Sequence, residues 1–157
     1  DYSVLWAKVN LIPDPTGISD VSINGIYPYD LSEPIITKEN IDQINGDVII
    51  IVIAGGNTIS TASQIVKHAH NIGAKTIGTA GIFGFGNENI EIKDISEYDD
   101  NNPAIEELRA QGITENHLVL TTHKLIRDNE PVTPYTLDEV AKYITMTALK
   151  ELRDKND

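Results

Sequence analysis

Paired glycines, an asparagine and three hydroxyls crowd one short stretch of this chain: Gly55-Gly56-Asn57-Thr58, followed by Ser60 and Thr61. Adjacent glycines let a backbone come close to a bound molecule, and amide and hydroxyl donors beside them favour negative charge. At the start of a helix such a turn collects phosphate or carboxylate. The same residues also suit an ordinary strand-to-helix turn, with Asn57 or Thr58 as its cap. A second glycine-rich run, Gly81 to Asn87, offers Gly81, Phe83 and Gly84 as the far wall of a pocket. Its plainer reading is a mobile connection whose Phe83 and Phe85 plug the core.

Acid–base chemistry has four histidines to draw on. His123 closes a strand and is the candidate general acid or base, with Glu88 or Asp94 as its carboxylate. His117 begins that strand and reads as structural. His68 and His70 stand two apart on a helix, so they cannot chelate one metal as an i, i+4 pair does. Cysteine is absent, which excludes thiolate catalysis, disulfides and cysteine-held metals. Asp99-Asp100-Asn101-Asn102 lacks the alternation and central glycine of a calcium loop. No metal and no cofactor are therefore expected. A serine nucleophile would need a G-x-S-x-G elbow, and a Walker loop a Gly-Lys-Ser/Thr ending; neither motif occurs. Gly84-Phe85-Gly86 supplies two of the three glycines of a dinucleotide fingerprint and precedes no helix.

These residues need elements to hold them. In the stretch from Asp47 to Ile53, Val48 onward is an unbroken apolar, β-branched run, the pattern of a strand covered on both faces and hence of a parallel sheet. Ile59, Ala62, Ile65, Val66 and Ala69 form one stripe of a helix, Gly73 stops it, and Lys75 to Thr79 is a second strand. Ile90 to Lys93 alternates as a short strand. Pro103 opens a helix that Gly112 ends, and His117 to Thr122 is a further strand. A Thr136/Glu139 capping box starts the last helix, with Leu137, Val140, Ala141, Ile144, Ala148, Leu149 and Leu152 as its apolar face. Near the amino end, Ser3 to Ile12 and Ile18 to Tyr27 are strand-like, and a short helix runs from Thr37 to Gly46. The expectation is one α/β domain over residues 1–157, Rossmann-like with three layers, mostly parallel, carrying one or two added N-terminal antiparallel strands. If His117 to Thr122 runs parallel to the first strand, His123 shares a rim with both glycine loops.

Lys and Arg number 12 against 24 Asp and Glu, a formal charge of -12. That disfavours nucleic-acid backbones and anionic membranes as partners. No apolar run approaches the ~20 residues of a membrane span. A soluble, cytoplasmic protein is expected, self-associating through its C-terminal amphipathic helix into a homo-oligomer.

Over residues 46–80, Gly46-Asp47-Val48-Ile49-Ile50-Ile51, Gly56-Asn57-Thr58, Ile65-Val66-Lys67-His68-Ala69 and Gly73-Ala74-Lys75-Thr76-Ile77 are similar to the middle of the sugar isomerase (SIS) domains. Gly55 stands where that family usually has serine. The resemblance implies that Asn57, Thr58 and Ser60 contact the phosphate of a phosphosugar. The same turn also looks like the phosphate loop of the tubulin and bacterial cell-division GTPases. The leading expectation is a small phosphorylated or anionic metabolite bound at Gly55 to Thr61, with aldose–ketose isomerisation as a reaction that one histidine and one carboxylate could run. Two alternatives stand beside it: a non-catalytic ligand-sensing or assembly module, and a nucleotide-binding domain with a base slot from Phe83 or Phe85.

Overall fold

The computed structural model describes residues 41–52, 58–99, 101–125 and 131–154. The expected N-terminal strands, the helix start at Thr37, and Gly55, Gly56 and Asn57 lie outside the described residues. Strand β1 (Val48–Ile51) sends Ile49 and Ile51 into one core cluster and Val48 and Ile50 toward another. A strand with both faces covered needs apolar residues at every position, which is why this run does not alternate. Helix α1 (Ile59–Asn71) buries Ser63, Ile65, Val66 and Ala69, with Ile59 and Ala62 packed alongside, as its spacing requires. Strand β2 (Lys75–Thr79) follows, and β3 (Glu91–Asp94) comes next in the chain. Helix α2 (Pro103–Ala110) starts where the Asn102 side chain accepts the Ala104 N–H at 3.0 Å. Strand β4 (His117–Thr121) and helix α3 (Pro134–Asp154) complete the described fold.

The sheet order is β1-β2-β4-β3. The first three strands are mutually parallel, with Ile50 beside Ile77 and Ile77 beside Leu118. Strand β3 runs antiparallel to β4 at the edge, pairing Glu91 with Thr121 and Asp94 with Leu118. The antiparallel element of the described fold is thus β3, far in sequence from the N-terminal segment where such strands were expected. One face of the sheet packs on α1 and α2 through Ile65, Val66, Ala69, Ile105 and Leu108. The other face packs on α3, with Val140, Ile144 and Ala148 against Ile77 and Leu120.

Two local expectations change. The segment before β1 is a 3-10 turn over Ile41–Gln43, and Ile44 after it is buried. The last helix begins at Pro134, two residues before the expected capping box. Its cap is Thr133, whose hydroxyl oxygen accepts the Thr136 N–H at 3.2 Å. Thr136 is buried instead and donates its hydroxyl to the Gly84 carbonyl at 2.8 Å. With that start, Val140, Ile144 and Ala148 face inward, while Leu137 is 49% exposed and Ala141 faces solvent. Among the described residues, no helix is long and apolar enough to cross a membrane.

Candidate functional site

Parallel strands bring their carboxyl ends to one rim, and ligands of open α/β sheets collect there. Here β1, β2 and β4 end at that rim, and antiparallel β3 begins there. It gathers the start of α1, the Gly81 to Glu88 loop, His123 and Glu91. The parallel run of β1, β2 and β4 places His123 on the same rim as the start of α1 and the Gly81 to Glu88 loop.

The first turn of α1 carries Thr58, Ser60 and Thr61. Thr58 has φ -98° and ψ -5°, and its side chain makes no capping hydrogen bond, in contrast to the expected cap. Ser60 is exposed, and among the described residues its hydroxyl oxygen receives the long Gln64 Nε2 contact at 3.4 Å. Ser63 is turned inward and donates to the Ser60 carbonyl at 2.9 Å, so it belongs to the helix.

The second glycine loop is pinned from both sides. The Thr122 hydroxyl oxygen accepts the Phe83 N–H at 3.1 Å and lies 2.7 Å from the Phe83 carbonyl and 3.0 Å from that of Gly81. Gly84 donates its N–H to the Pro131 carbonyl at 2.6 Å and accepts from Thr133 N–H and the Thr136 hydroxyl. Glu88 then folds back: its two carboxylate oxygens accept the N–H groups of Phe85 at 2.8 Å and Gly86 at 2.7 Å. Desolvation pushes the Glu88 carboxyl up, but the hydrogen bonds from Gly86 and Phe85, with smaller ones from Glu88 and Asn87, outweigh it and hold the acid below its ordinary range. Gly84 (φ 128°) and Gly86 (φ 112°) permit this clamp. A Cβ on Gly84 would overlap the Glu88 carboxylate, and one on Gly86 the ring of Tyr135. Phe85 is 63% exposed and does not plug the core, contrary to the plainer reading of this loop. Phe83 is half-buried.

His123 sits at φ 59°, a left-handed conformation that costs a non-glycine residue free energy. Its N–H donates to the Thr121 hydroxyl oxygen at 3.0 Å. Its Nε2 lies 3.2 Å from Glu91 Oε2, and the other Glu91 oxygen holds Lys93 Nζ at 3.2 Å. The carboxylate beside His123 is therefore Glu91, not Glu88 or Asp94. Glu88 is occupied by its own loop. Asp94 stands at the opposite end of β3, where it accepts from the Ser96 N–H and hydroxyl and from His117 N–H. Burial raises the Asp94 carboxyl, yet those hydrogen bonds, that of the Ser96 hydroxyl foremost, bring it below the ordinary value. Finding Glu91 from sequence required the direction of β3, which the spacing alone does not disclose.

The remaining histidines are structural in geometry. His68 Nε2 reaches the Ile44 carbonyl at 2.8 Å, and His70 Nε2 the Asn116 carbonyl at 2.9 Å. His117 is buried with Nδ1 at 2.9 Å from the Thr76 hydroxyl. Among the described residues, no group of three His, Asp or Glu is arranged to hold a metal. A shallow groove of about 330 Å³, lined by Ile41, Gln64, Lys67, His68 and Asn71, lies along α1 away from its N-terminal rim.

No family model matches this chain. It is 44% identical over 120 residues to uncharacterized protein MJ0693 of Methanocaldococcus jannaschii, covering 76% of this chain and 47% of that one. It is 28% identical over 155 residues to a Staphylococcus carnosus protein named as a candidate lipid kinase, covering 98% of this chain and 42% of that one. Among solved structures it resembles HcgE from Methanothermobacter marburgensis, crystallised with guanylylpyridinol and ATP bound. That match has 44% identity and a TM-score of 0.73, covering 78% of this chain and 59% of the other. The chain thus spans about half the length of these relatives, and it shares a mixed α/β fold with a protein that binds small ligands.

Proposed function

We propose that this chain is a nucleotide-binding α/β domain that takes ATP or a close analogue along the carboxyl rim of its sheet. The observation that carries the reading is its 44% identity and TM-score of 0.73 with HcgE in its ATP- and guanylylpyridinol-bound form. The rim supplies what such a ligand needs. The N-terminal turn of α1, with Thr58, Ser60 and Thr61, offers donors to phosphate oxygens, and Gly55, Gly56 and Asn57 precede it in the sequence. ATP arriving as its magnesium complex brings part of its own charge compensation, which suits a chain of net charge -12. His123, held by Glu91, is the acid–base group at that edge. We read the helices on both sheet faces as a Rossmann-like three-layer arrangement, and exposed Tyr143 and Met146 on α3 favour self-association through that helix.

Calorimetry and thermal unfolding against magnesium-ATP, GTP, sugar phosphates and inorganic phosphate test the reading. Binding to the folded state should add ~2.7 kcal/mol of apparent stability at a hundredfold excess of nucleotide over its dissociation constant. The gain should shrink in Asn57→Ala and in Thr58→Ala/Ser60→Ala. A shift with sugar phosphates and none with nucleotides would transfer the site to the phosphosugar class that the SIS resemblance implies. No shift with any of them would remove the anion site altogether.

A further inference from the structure

Phe85 and Tyr135 are 63% and 60% exposed, yet the backbone under them is held by hydrogen bonds. The Phe85 N–H is held by Glu88 at 2.8 Å and its carbonyl by the Thr133 hydroxyl at 3.1 Å. The ring of Tyr135 lies on Gly86, so close that no side chain fits between them. Tyr135 is also in the first turn of α3, which the Thr136–Gly84 hydrogen bond locks to the same loop. Two exposed aromatic residues are thus anchored to one hydrogen-bonded loop, with much of their apolar surface in water. Isolated exposed aromatics need no explanation, but ordering a glycine-rich tip to present two of them costs conformational entropy that the tip's own burial does not return.

We infer that Phe85 and Tyr135 form a shelf on which the heteroaromatic base of the nucleotide stacks. The inference rests on the nucleotide reading above and assigns the base end of that ligand. Three features carry it. The shelf belongs to the loop leaving β2, the strand between β1 and β4, so it borders the same rim as the α1 turn. That loop leaves the sheet one strand spacing, about 5 Å, from the end of β1, which is within the reach of a nucleotide from phosphates to base. Both molecules named in the related structure, guanylylpyridinol and ATP, carry flat nitrogen heterocycles, and such rings stack on aromatic faces with little sequence or substituent demand. Phe83 is not part of the shelf: it is half-buried, with its N–H and carbonyl both engaged by Thr122.

The test measures dissociation constants of magnesium-ATP and of magnesium-tripolyphosphate, which has the phosphates without base or ribose, on wild type, Phe85→Ala, Phe85→Trp and Tyr135→Ala. The sedimentation coefficient of each variant is recorded with them. The expected result is a loss of ATP affinity of about 5- to 100-fold in both alanine variants, with tripolyphosphate affinity unchanged and Phe85→Trp close to wild type. Wild-type ATP binding that the alanine variants leave intact overturns the shelf while sparing the nucleotide site. Equal losses for ATP and tripolyphosphate also overturn it, because the loop would then act on the phosphate end. A change of sedimentation without a change of ATP affinity assigns the rings to a second copy of the chain and overturns it as well. If wild type binds tripolyphosphate but gains nothing from the base, the shelf falls and an anion site stands. If wild type binds neither, both readings fall together.

Discussion

Strand β4 has a histidine near each end, and each end is marked by a left-handed residue, Asn116 at φ 61° and His123 at φ 59°. At the amino end the polar groups close on one another. The Thr76 hydroxyl donates to the Asn116 carbonyl at 3.3 Å, His70 Nε2 reaches that carbonyl at 2.9 Å, and His117 Nδ1 lies 2.9 Å from the Thr76 oxygen. A hydroxyl that donates to Asn116 can accept from His117, which assigns the Nδ1–H tautomer to this ring. At the carboxyl end His123 keeps a side chain 48% exposed beside a single carboxylate. The same residue type is thus closed into the architecture at one end of the strand and left accessible to solvent beyond the other. Solvent access and the number of fixed partners make the difference, and both are settled by long-range packing.

The largest test of that contrast is pH. Burial, then the charge of nearby His70, hold the His117 imidazole down at about 4 against an ordinary 6.5, with Asp94 acting weakly the other way. Between those values the unfolded chain binds a proton that the folded chain refuses. The stabilisation is complete above 6.5 and is lost as pH falls toward 4, by about 3 kcal/mol in all. Urea unfolding from pH 7 to 4 should show this slope, and His117→Gln should flatten it. A slope unchanged in the variant would mean that the amino end is wetter than the geometry says.

Next in size is Gly78→Ala. An added Cβ would stand 2.8 Å from His117 Nε2, and the ring has little room to retreat because Thr76 holds its other nitrogen. Overpacking of this kind costs about 1–3 kcal/mol. A loss under about 0.5 kcal/mol would show that the ring shifts freely, and the closed end would then resemble the open one.

What the sequence made legible follows the same divide between local and long-range. The strand, helix and strand over 48–79 were readable because an unbroken β-branched run and an i, i+3, i+4 stripe are local signals. Pro103 as a helix start was readable for the same reason. Thr136 and Glu139 imitate a capping box, but the Thr133-Pro134 pair just before them is the true start, with proline at the first helical position. Glu91 was not legible as the partner of His123, because it reaches the rim only when β3 runs antiparallel at the sheet edge. The shelf of Phe85 and Tyr135 joins residues 50 apart in sequence through hydrogen bonds to Gly84, and no spacing rule foretells it.

The carboxyl end offers a smaller effect of opposite sign. Removing the left-handed penalty at His123 releases about 1–2 kcal/mol, less the roughly 0.5–1 kcal/mol of extra unfolded-state entropy that glycine brings. His123→Gly should therefore leave the protein as stable as wild type or up to about 1.5 kcal/mol more stable. Equilibrium unfolding at pH 7 measures this. A destabilised His123→Gly would place the ring in a structural role after all and make both ends of β4 alike.

The smallest effect on stability is the most informative about the site. The His123–Glu91 pair is largely solvated, with the two side chains 48% and 35% exposed, and Lys93 competes for the same carboxylate. Exposed pairs of this kind contribute at most about 1 kcal/mol and often nothing. A double-mutant cycle of Glu91→Gln with His123→Ala should give a coupling below about 0.5 kcal/mol in unfolding free energy. The same cycle read in the dissociation constant of magnesium-ATP should give a clearly larger coupling, because a ligand at the rim excludes water from the pair and weakens its screening. Coupling that is small in both measurements would remove His123 and Glu91 from the ligand's surroundings. Coupling that is large in both would make the pair a brace of the fold. The predicted split, silent in folding and strong in binding, is what separates this end of the strand from the one that His117 closes.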